Sequence, residues 1–317
     1  MHKILCIGEA LIDMICTDRG SSLADGNNFL KKPGGAPTNV AAAIAALGGK
    51  VDLAAKVGID PFGKHLIDVM NGFGVNTKWM LQDEKNFTTF AFVSLMENGE
   101  RDFYFNRGAD GQLSKADISG ININDFSIVH FGSATGFLPG PLQDAYHHLL
   151  QLAIENNVMV SFDPNYRHLL FKDDQPSFIK QSWQFIEKSD FFKVSDEEAL
   201  LLTDAKDVDA AAKIFSEKTK AVFAITLGEK GTLLGFNGKT EIISSIPVKA
   251  IDTTGAGDAF VGAVLYQLSL LEREKINNLT SEAWQHIFIN ANKAGARTCE
   301  YTGAMEAFKY LSNSIFN

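Results

Sequence analysis

"VDLAAKVGIDPFGKHLIDVMNGFG", residues 51–74, changes character halfway along. Val51 to Gly58 is a short apolar run with β-branched members, which reads as a buried strand, and Phe62 to Gly74 reads as the helix that follows it. The turn between them, "GIDPFGKH", matches the phosphate loop G-x-x-x-x-G-K up to its last position. There His65 stands where a Ser or Thr would hold Mg²⁺, and Pro61 removes one amide donor from the cradle. A plain strand-to-helix turn accounts for it better.

The same alternation runs outward in both directions. "KILCIG", "FSIVHFG", "VMVSFDP", "DFFKVS" and "AVFAITLG" read as buried strands, with "TNVAAAIAALG", "LQDAYHHLLQLAIENN" and "SFIKQSWQFIEKS" as helices between them. Strand and helix in turn predict an α/β fold: a doubly wound, mostly parallel sheet covered on both faces, with ligands beyond the carboxyl ends of its strands. Two stretches break the rhythm. "ALIDMICTDRG" (10–20) is one, and "TTFAFVSLMENGERDFYFN" (88–106), two alternating segments about the turn "ENGE", is the other. They form either an antiparallel flap over a small ligand or an ordinary edge hairpin. No repeat, low-complexity tract or Pro-rich linker divides the chain, so the expectation is one domain over 1–317 with a lid from about 11–33 and 86–107. Unpaired lid edges would invite a second copy, which predicts a homodimer.

The chain has 317 residues, 45% of them hydrophobic, enough to bury a large core. Its 29 Lys and Arg against 38 Asp and Glu give a net charge of −9, and no basic run occurs, so nucleic acid and anionic membrane are poor partners. Cys6, Cys16 and Cys299 form neither a disulfide framework nor a zinc site, and His147 and His148 have no partner at metal spacing. Glu9 and Asp13 interrupt the apolar amino end, which argues against a signal peptide, and no segment reaches the length of a membrane span. These features predict a soluble cytoplasmic protein.

"AIDTTGAGDAF", residues 250–260, carries the strongest chemistry. A helix opening near Gly257 directs unpaired amides and a partial positive charge at whatever lies before it. Gly255 and Gly257 would let an oxygen-rich ligand approach, and Asp258 in the first turn could take a proton from an attacking hydroxyl. A simple helix cap is the competing account. "KKPGGAPTNVAAAIAALGG" sets Gly34 and Gly35 before a helix in which Thr38 or Asn39 could cap or Asn39 could meet a sugar hydroxyl. Asp13 adds an acceptor. Three strand-end loops offer Asp163, Asn165 and Arg167; Lys193, Ser195 and Glu198; and Thr226, Gly228 and Gly231, which form one rim if the parallel sheet is right.

With these residues in view, the chain resembles the PfkB, or ribokinase-like, family of carbohydrate kinases over essentially its whole length. "GGAPTNVAAAIAALGG" and "DTTGAGDAF" look like the family's two signature regions, in order and at about the right separation. The resemblance implies a three-layer α/β/α core with a β-sheet lid, ATP and Mg²⁺ as cosubstrate, K⁺ as the monovalent cation, and phosphorylation of a primary alcohol. By position it makes Asp258 the catalytic base and Gly255, Ala256 and Gly257 the anion hole, with Asp252 and the Thr254 carbonyl at a monovalent cation. Asp13, Gly34, Gly35 and Asn39 would contact sugar, and Arg107 and Arg167 the substrate or its phosphate. Asn165, Lys193, Ser195, Thr226, Gly228, Gly231 and Asn292 would serve the nucleotide, and Glu198 Mg²⁺ through water. "GGAPTN", "TTGAGD", "FDPNYR" and "KVSDEE" are most similar to fructokinases, with 2-keto-3-deoxygluconate kinases next and nucleoside kinases after them. Ser195 departs from the Asn common in ribokinases, which weakens the metal role of its loop. A silent sugar-binding protein is the alternative outside the class.

Overall fold

Every run read as a strand is one, because its residues are buried on both faces and no side chain has to reach water. The computed structural model describes residues 1–97, 101–132 and 134–316, so residues 98–100 of the expected "ENGE" turn lie outside the described residues. In chain order the strands are β1 (Lys3–Ile7), β2 (Leu11–Cys16), β3 (Phe29–Gly34), β4 (Lys50–Gly58), β5 (Met80–Asp83), β6 (Phe90–Leu95) and β7 (Arg101–Asn106). β8 (Ile128–Phe131), β9 (Met159–Phe162), β10 (Phe191–Ser195), β11 (Val222–Thr226), β12 (Thr232–Phe236) and β13 (Lys239–Ile243) follow.

Nine of them form one sheet in the order β13-β12-β11-β10-β9-β8-β1-β4-β5. From β5 through β11 all pairings are parallel, and β12 and β13 run antiparallel at one edge. This edge hairpin is not among the strands expected from the alternation. Its turn, Asn237-Gly238, has both residues at positive φ, 50° and 73°, the geometry for which Asn-Gly is suited.

The two-residue period of β1 distributes side chains between two cores. Ile4 and Cys6 pack with residues of the helices Ala36–Ala46, Ala256–Ser269 and Ser281–Thr298. Leu5 and Ile7 pack with those of Pro141–Glu155, Gln175–Ile186 and Val208–Lys218. Three layers result. On the second face Phe131, Phe137, Phe162 and Phe185 meet with ring centroids 5.1–5.8 Å apart. Full burial of each such side chain stabilises the fold by about 1.5–3 kcal/mol before ordering costs.

The near-miss phosphate loop is filled from within. Asp60 caps the helix Pro61–Phe73 by accepting from the Phe62 and Gly63 amides, and takes the Thr88 amide on its other oxygen. Its carboxylate occupies the donors a phosphate would need.

The remaining four strands make a second sheet, β3-β2-β6-β7. It is not the wholly antiparallel flap expected: β2 pairs parallel with β6, while β3 and β7 flank them antiparallel. β2 follows β1 and β6 follows β5, so both leave the same end of a parallel sheet in the same direction. The registers also set its faces. Asp13 pairs with Ala91 and Ala91 with Phe105, which puts Phe105, and Phe103 two residues before it, on the Asp13 face. Tyr104 lies on the opposite face near Phe92. Among the described residues no helix is long and apolar enough to cross a membrane, and all three cysteines are free.

Candidate active site

The helix Ala256–Ser269 begins at Gly255, whose φ of 82° belongs to glycine. A Cβ there would stand 2.4 Å from the Ala304 Cβ, so packing as well as dihedral angle excludes a side chain. Gly257 is glycine for a different reason: its Cβ would point at the Lys193 Nζ, 3.2 Å away. The expected set of three amide donors changes in one member. Ala256 N–H donates to the Thr253 carbonyl at 3.2 Å, closing a turn, whereas the N–H groups of Gly255, Gly257 and Asp258 have no protein acceptor among the described residues. Asp258 therefore contributes both an amide and a carboxylate to this end of the helix.

Its carboxylate is held from across the molecule. Asn39, buried in the first turn of Ala36–Ala46, donates from Nδ2 to Asp258 Oδ2 at 2.8 Å, while its buried Oδ1 has no hydrogen-bond partner among the described residues. Burial raises the Asp258 carboxyl above the ordinary aspartate range, against the pull of the Asn39 hydrogen bond, Lys193 and Arg167, with Glu198 adding to the rise. Gly34 leaves room for Asp13, whose Oδ2 lies where a Gly34 Cβ would come within 2.1 Å. Burial pushes Asp13 up to about 6, opposed by Arg167. Arg167 is exposed, and its positive charge favours the anion of both carboxylates. Gly35 again answers to packing: a Cβ would meet the Glu9 carbonyl oxygen at 2.3 Å.

The loops after β9 and β10 supply the adjoining wall. Lys193 Nζ lies 3.2 Å from Asp163 Oδ2, both side chains almost wholly enclosed. Burial pulls the Lys193 ammonium down, yet Asp163, Glu198 and Asp258 together hold it above the usual lysine value. Burial raises the Asp163 carboxyl, against Lys193. Ser195 and Glu198 form a capping box at the start of the helix Asp196–Thr203, with Glu198 Oε2 accepting from the Ser195 amide at 2.8 Å. Glu198 Oε1 accepts from the Tyr166 amide at 2.7 Å and so ties the two loops together. Asn165, at φ 48°, donates from Nδ2 to the Gly132 carbonyl. Asn165, Arg167, Lys193, Ser195 and Glu198 line one cavity of about 310 Å³.

Other expected residues stand apart from this cluster or are engaged in the framework. Arg107 donates to the carbonyls of Thr135 and Pro139 and faces Asp110, 3.5 Å from Nε. Asn292 accepts from Thr232 and donates to the Ile243 carbonyl, which fastens the β12–β13 hairpin to the helix Ser281–Thr298. Gly231 is dictated by the Ile243 carbonyl, 2.1 Å from its would-be Cβ, whereas a Cβ on Gly228 would meet nothing. Thr226 ends β11 and reaches back to the Val194 carbonyl at 3.4 Å. Asp252 accepts from Thr254 and, through Oδ2, from the Gly303 amide. These hydrogen bonds outweigh its burial and keep it below the usual carboxylate range. Glu9 was not among the expected site residues, yet it is buried immediately after β1 and accepts from the Ala36 amide and the Thr135 hydroxyl. A charged residue directly after an apolar strand was its one sequence signal.

The arrangement can take a proton at Asp258, bind negative charge at the adjacent amides and Lys193, and hold hydroxyls at Asp13 and Asn39. The pfkB family carbohydrate kinase model matches residues 1–309. A probable fructokinase-5 from Arabidopsis thaliana is 38% identical over 274 residues, covering 84% of this chain and 82% of the relative. The structure of a fructokinase from Xylella fastidiosa with bound ATP superposes with a TM-score of 0.85 at 27% identity, covering 99% of this chain and 96% of that one. A fructokinase double mutant from Vibrio cholerae, solved with fructose, ADP and a potassium ion, gives 0.83 at 28% identity, with 100% and 97% coverage.

Proposed function

Because the chain belongs to the pfkB family of carbohydrate kinases, we propose that it transfers the γ-phosphoryl group of ATP to a primary hydroxyl of fructose. The observation that carries this reading is the Asn39–Asp258 hydrogen bond of 2.8 Å, which aims a carboxylate beside the unpaired amides of Gly257 and Asp258. Asp258 accepts the hydroxyl proton, and Asn39 keeps the receiving oxygen in place. The amides of Gly255, Gly257 and Asp258 stabilise negative charge, with Lys193 close to Gly257. Asp13 and Asn39 Oδ1 accept from sugar hydroxyls, and Arg167, whose charge favours the anions of both Asp13 and Asp258, balances the charge of the acceptor's side of the cleft.

The residues present fit the nucleotide and its ions. Lys193 and the open helix terminus suit a polyphosphate, and the loops carrying Asn165, Ser195, Thr226, Gly228 and Gly231 supply a rim for the rest of the nucleotide, with Asn292 supporting that rim through the hairpin it fastens. Glu198, buried and fixed by two main-chain amides, is the carboxylate placed to meet Mg²⁺ through water. Asp252, kept anionic, offers with the Thr254 carbonyl an oxygen-only donor set, which suits K⁺. Bound MgATP supplies the phosphoryl group and offsets its charge.

The four-stranded sheet is the lid in this reading. On its Asp13 face Ile15 and Leu30, paired across β2 and β3, are 40% and 44% exposed, apolar surface that a second copy would cover. A cytoplasmic homodimer follows as part of the proposal. The deciding assay is ADP release with fructose, 2-keto-3-deoxygluconate, ribose and nucleosides in turn: fructose should give the highest kcat/KM by at least about tenfold. Preference for another acceptor would move the protein within its family.

A further inference from the structure

We infer that Glu9 is a positioning residue: at the point where the lid strands leave the core, it holds the start of the helix Ala36–Ala46, and through that helix Asn39, in register with Asp258. The inference rests on Asp258 being the base. It goes beyond that reading by joining the lid's attachment to the base through a series of hydrogen bonds and one ion pair, that of Arg107 with Asp110.

The chain crosses between the two sheets at four places. β1 leads into β2 through Gly8–Ala10, β3 returns at Gly34–Gly35, the segment 87–89 enters β6, and β7 returns at Arg107–Gly108. At the last two, Gly108 N–H donates to the Thr89 hydroxyl at 2.8 Å, Thr89 donates to Asp110, and Asp110 pairs with Arg107. Arg107 Nη2 donates to the Thr135 carbonyl at 3.0 Å, and the Thr135 hydroxyl donates to Glu9 Oε2 at 3.1 Å. Glu9 stands at the first crossing and serves the second: Oε1 accepts from the Ala36 amide at 3.2 Å, and the Glu9 carbonyl accepts from the Thr38 hydroxyl at 2.8 Å. One residue on, Asn39 donates to Asp258. Glu9, Thr38, Thr89, Asp110 and Thr135 are all buried, so water cannot replace a lost link without entering the core.

Loss of the Glu9 carboxylate would take the acceptor from the buried Ala36 amide, which favours one arrangement at this end of the helix. Movement of the lid is therefore transmitted to the first turn that carries Asn39. The helix Ala36–Ala46 has no side-chain cap at Gly35, which makes the Glu9 carboxylate the group that terminates it.

The test compares Glu9→Ala, Glu9→Gln, Thr135→Val, Asn39→Ala and the Glu9→Ala/Asn39→Ala double variant by kcat, KM and pH profile with fructose and ATP. Glu9→Ala should lower kcat by roughly 10- to 100-fold while leaving the ATP KM within about twofold. Its acid limb should move to higher pH, as in Asn39→Ala, because Asp258 is faced by Asn39, Lys193, Arg167, Glu198 and Asp163, and only the Asn39 bond is disturbed. The double variant should be little worse than Asn39→Ala alone. Glu9→Gln, which can accept from Ala36 and donate to Thr135, should recover to within about threefold of the parent, and Thr135→Val should fall between. A Glu9→Ala protein with the parent's kcat and pH profile but a lower Tm would overturn the inference, as would fully multiplicative effects in the double variant. If the parent phosphorylates no sugar, the sugar reading fails by itself. Amide exchange then decides the inference: the amides of Ala36, Thr38, Asn39 and Val40 should exchange at least about tenfold faster in Glu9→Ala but not in Glu9→Gln.

Discussion

Asp258 owes its chemistry to three neighbours that the chain brings from distant positions. Burial raises its carboxyl, while Asn39, Lys193 and Arg167 restrain the rise, so the anion is a stronger base than a free aspartate. Asp258→Asn should lower kcat by roughly 10²- to 10⁴-fold with fructose and ATP binding retained by calorimetry. Lys193 favours the anion, so Lys193→Met should shift the acid limb of kcat/KM to higher pH. The variant would then lose activity at a pH where the parent is still active, and an unmoved limb would separate Lys193 from the base. Asp13 at about 6 adds a second titration: below it the carboxyl gains a proton and loses acceptor strength, so fructose KM should rise as pH falls through 6.

At the scale of elements, two glycines of one loop answer to different constraints. Gly255→Ala forces a side chain at φ 82° against Ala304 and should cost about 2–4 kcal/mol of stability, read as a fall in Tm. Gly257→Ala meets the movable end of Lys193 instead, so it should lower turnover with little change in Tm. The turn after β5 gives a pH test. Asp83 accepts from the Lys85 and Asn86 amides and pairs with Lys56, and although burial opposes them these contacts lower it to about 2. Its folded value is below the unfolded one, so its contribution is full above the ordinary aspartate range and disappears as pH falls through 2. Asp83→Asn should therefore cost about 1–2 kcal/mol at pH 7 and almost nothing near pH 2 by chemical denaturation.

For the whole molecule, two sheets joined by four crossings must act together to keep water from the phosphoryl group. ATP hydrolysis without sugar should be slow and phosphate transfer with fructose fast; rapid sugar-independent hydrolysis would mean that the lid does not govern the reaction. Ile15→Glu with Leu30→Glu should convert a dimer to a monomer in sedimentation equilibrium if the Asp13 face is the interface. A parent that sediments as a monomer would refute that part of the proposal.

The alternation of apolar runs and helices, and the placement of a carboxylate within a glycine turn, are local patterns; the first determined the parallel core, and the second singled out Asp258 as the candidate base. Periodicity is a property of neighbours in sequence, so it is visible there. The parallel β2–β6 pairing, the faces of Phe103, Tyr104 and Phe105, and the engagement of Arg107 and Asn292 in the framework depend on which distant groups become adjacent. So does Glu9, whose meaning comes from Ala36 and Thr135. Only the folded chain decides such contacts, because a buried polar group must be satisfied by whatever the packing sets beside it, and no local pattern names that partner.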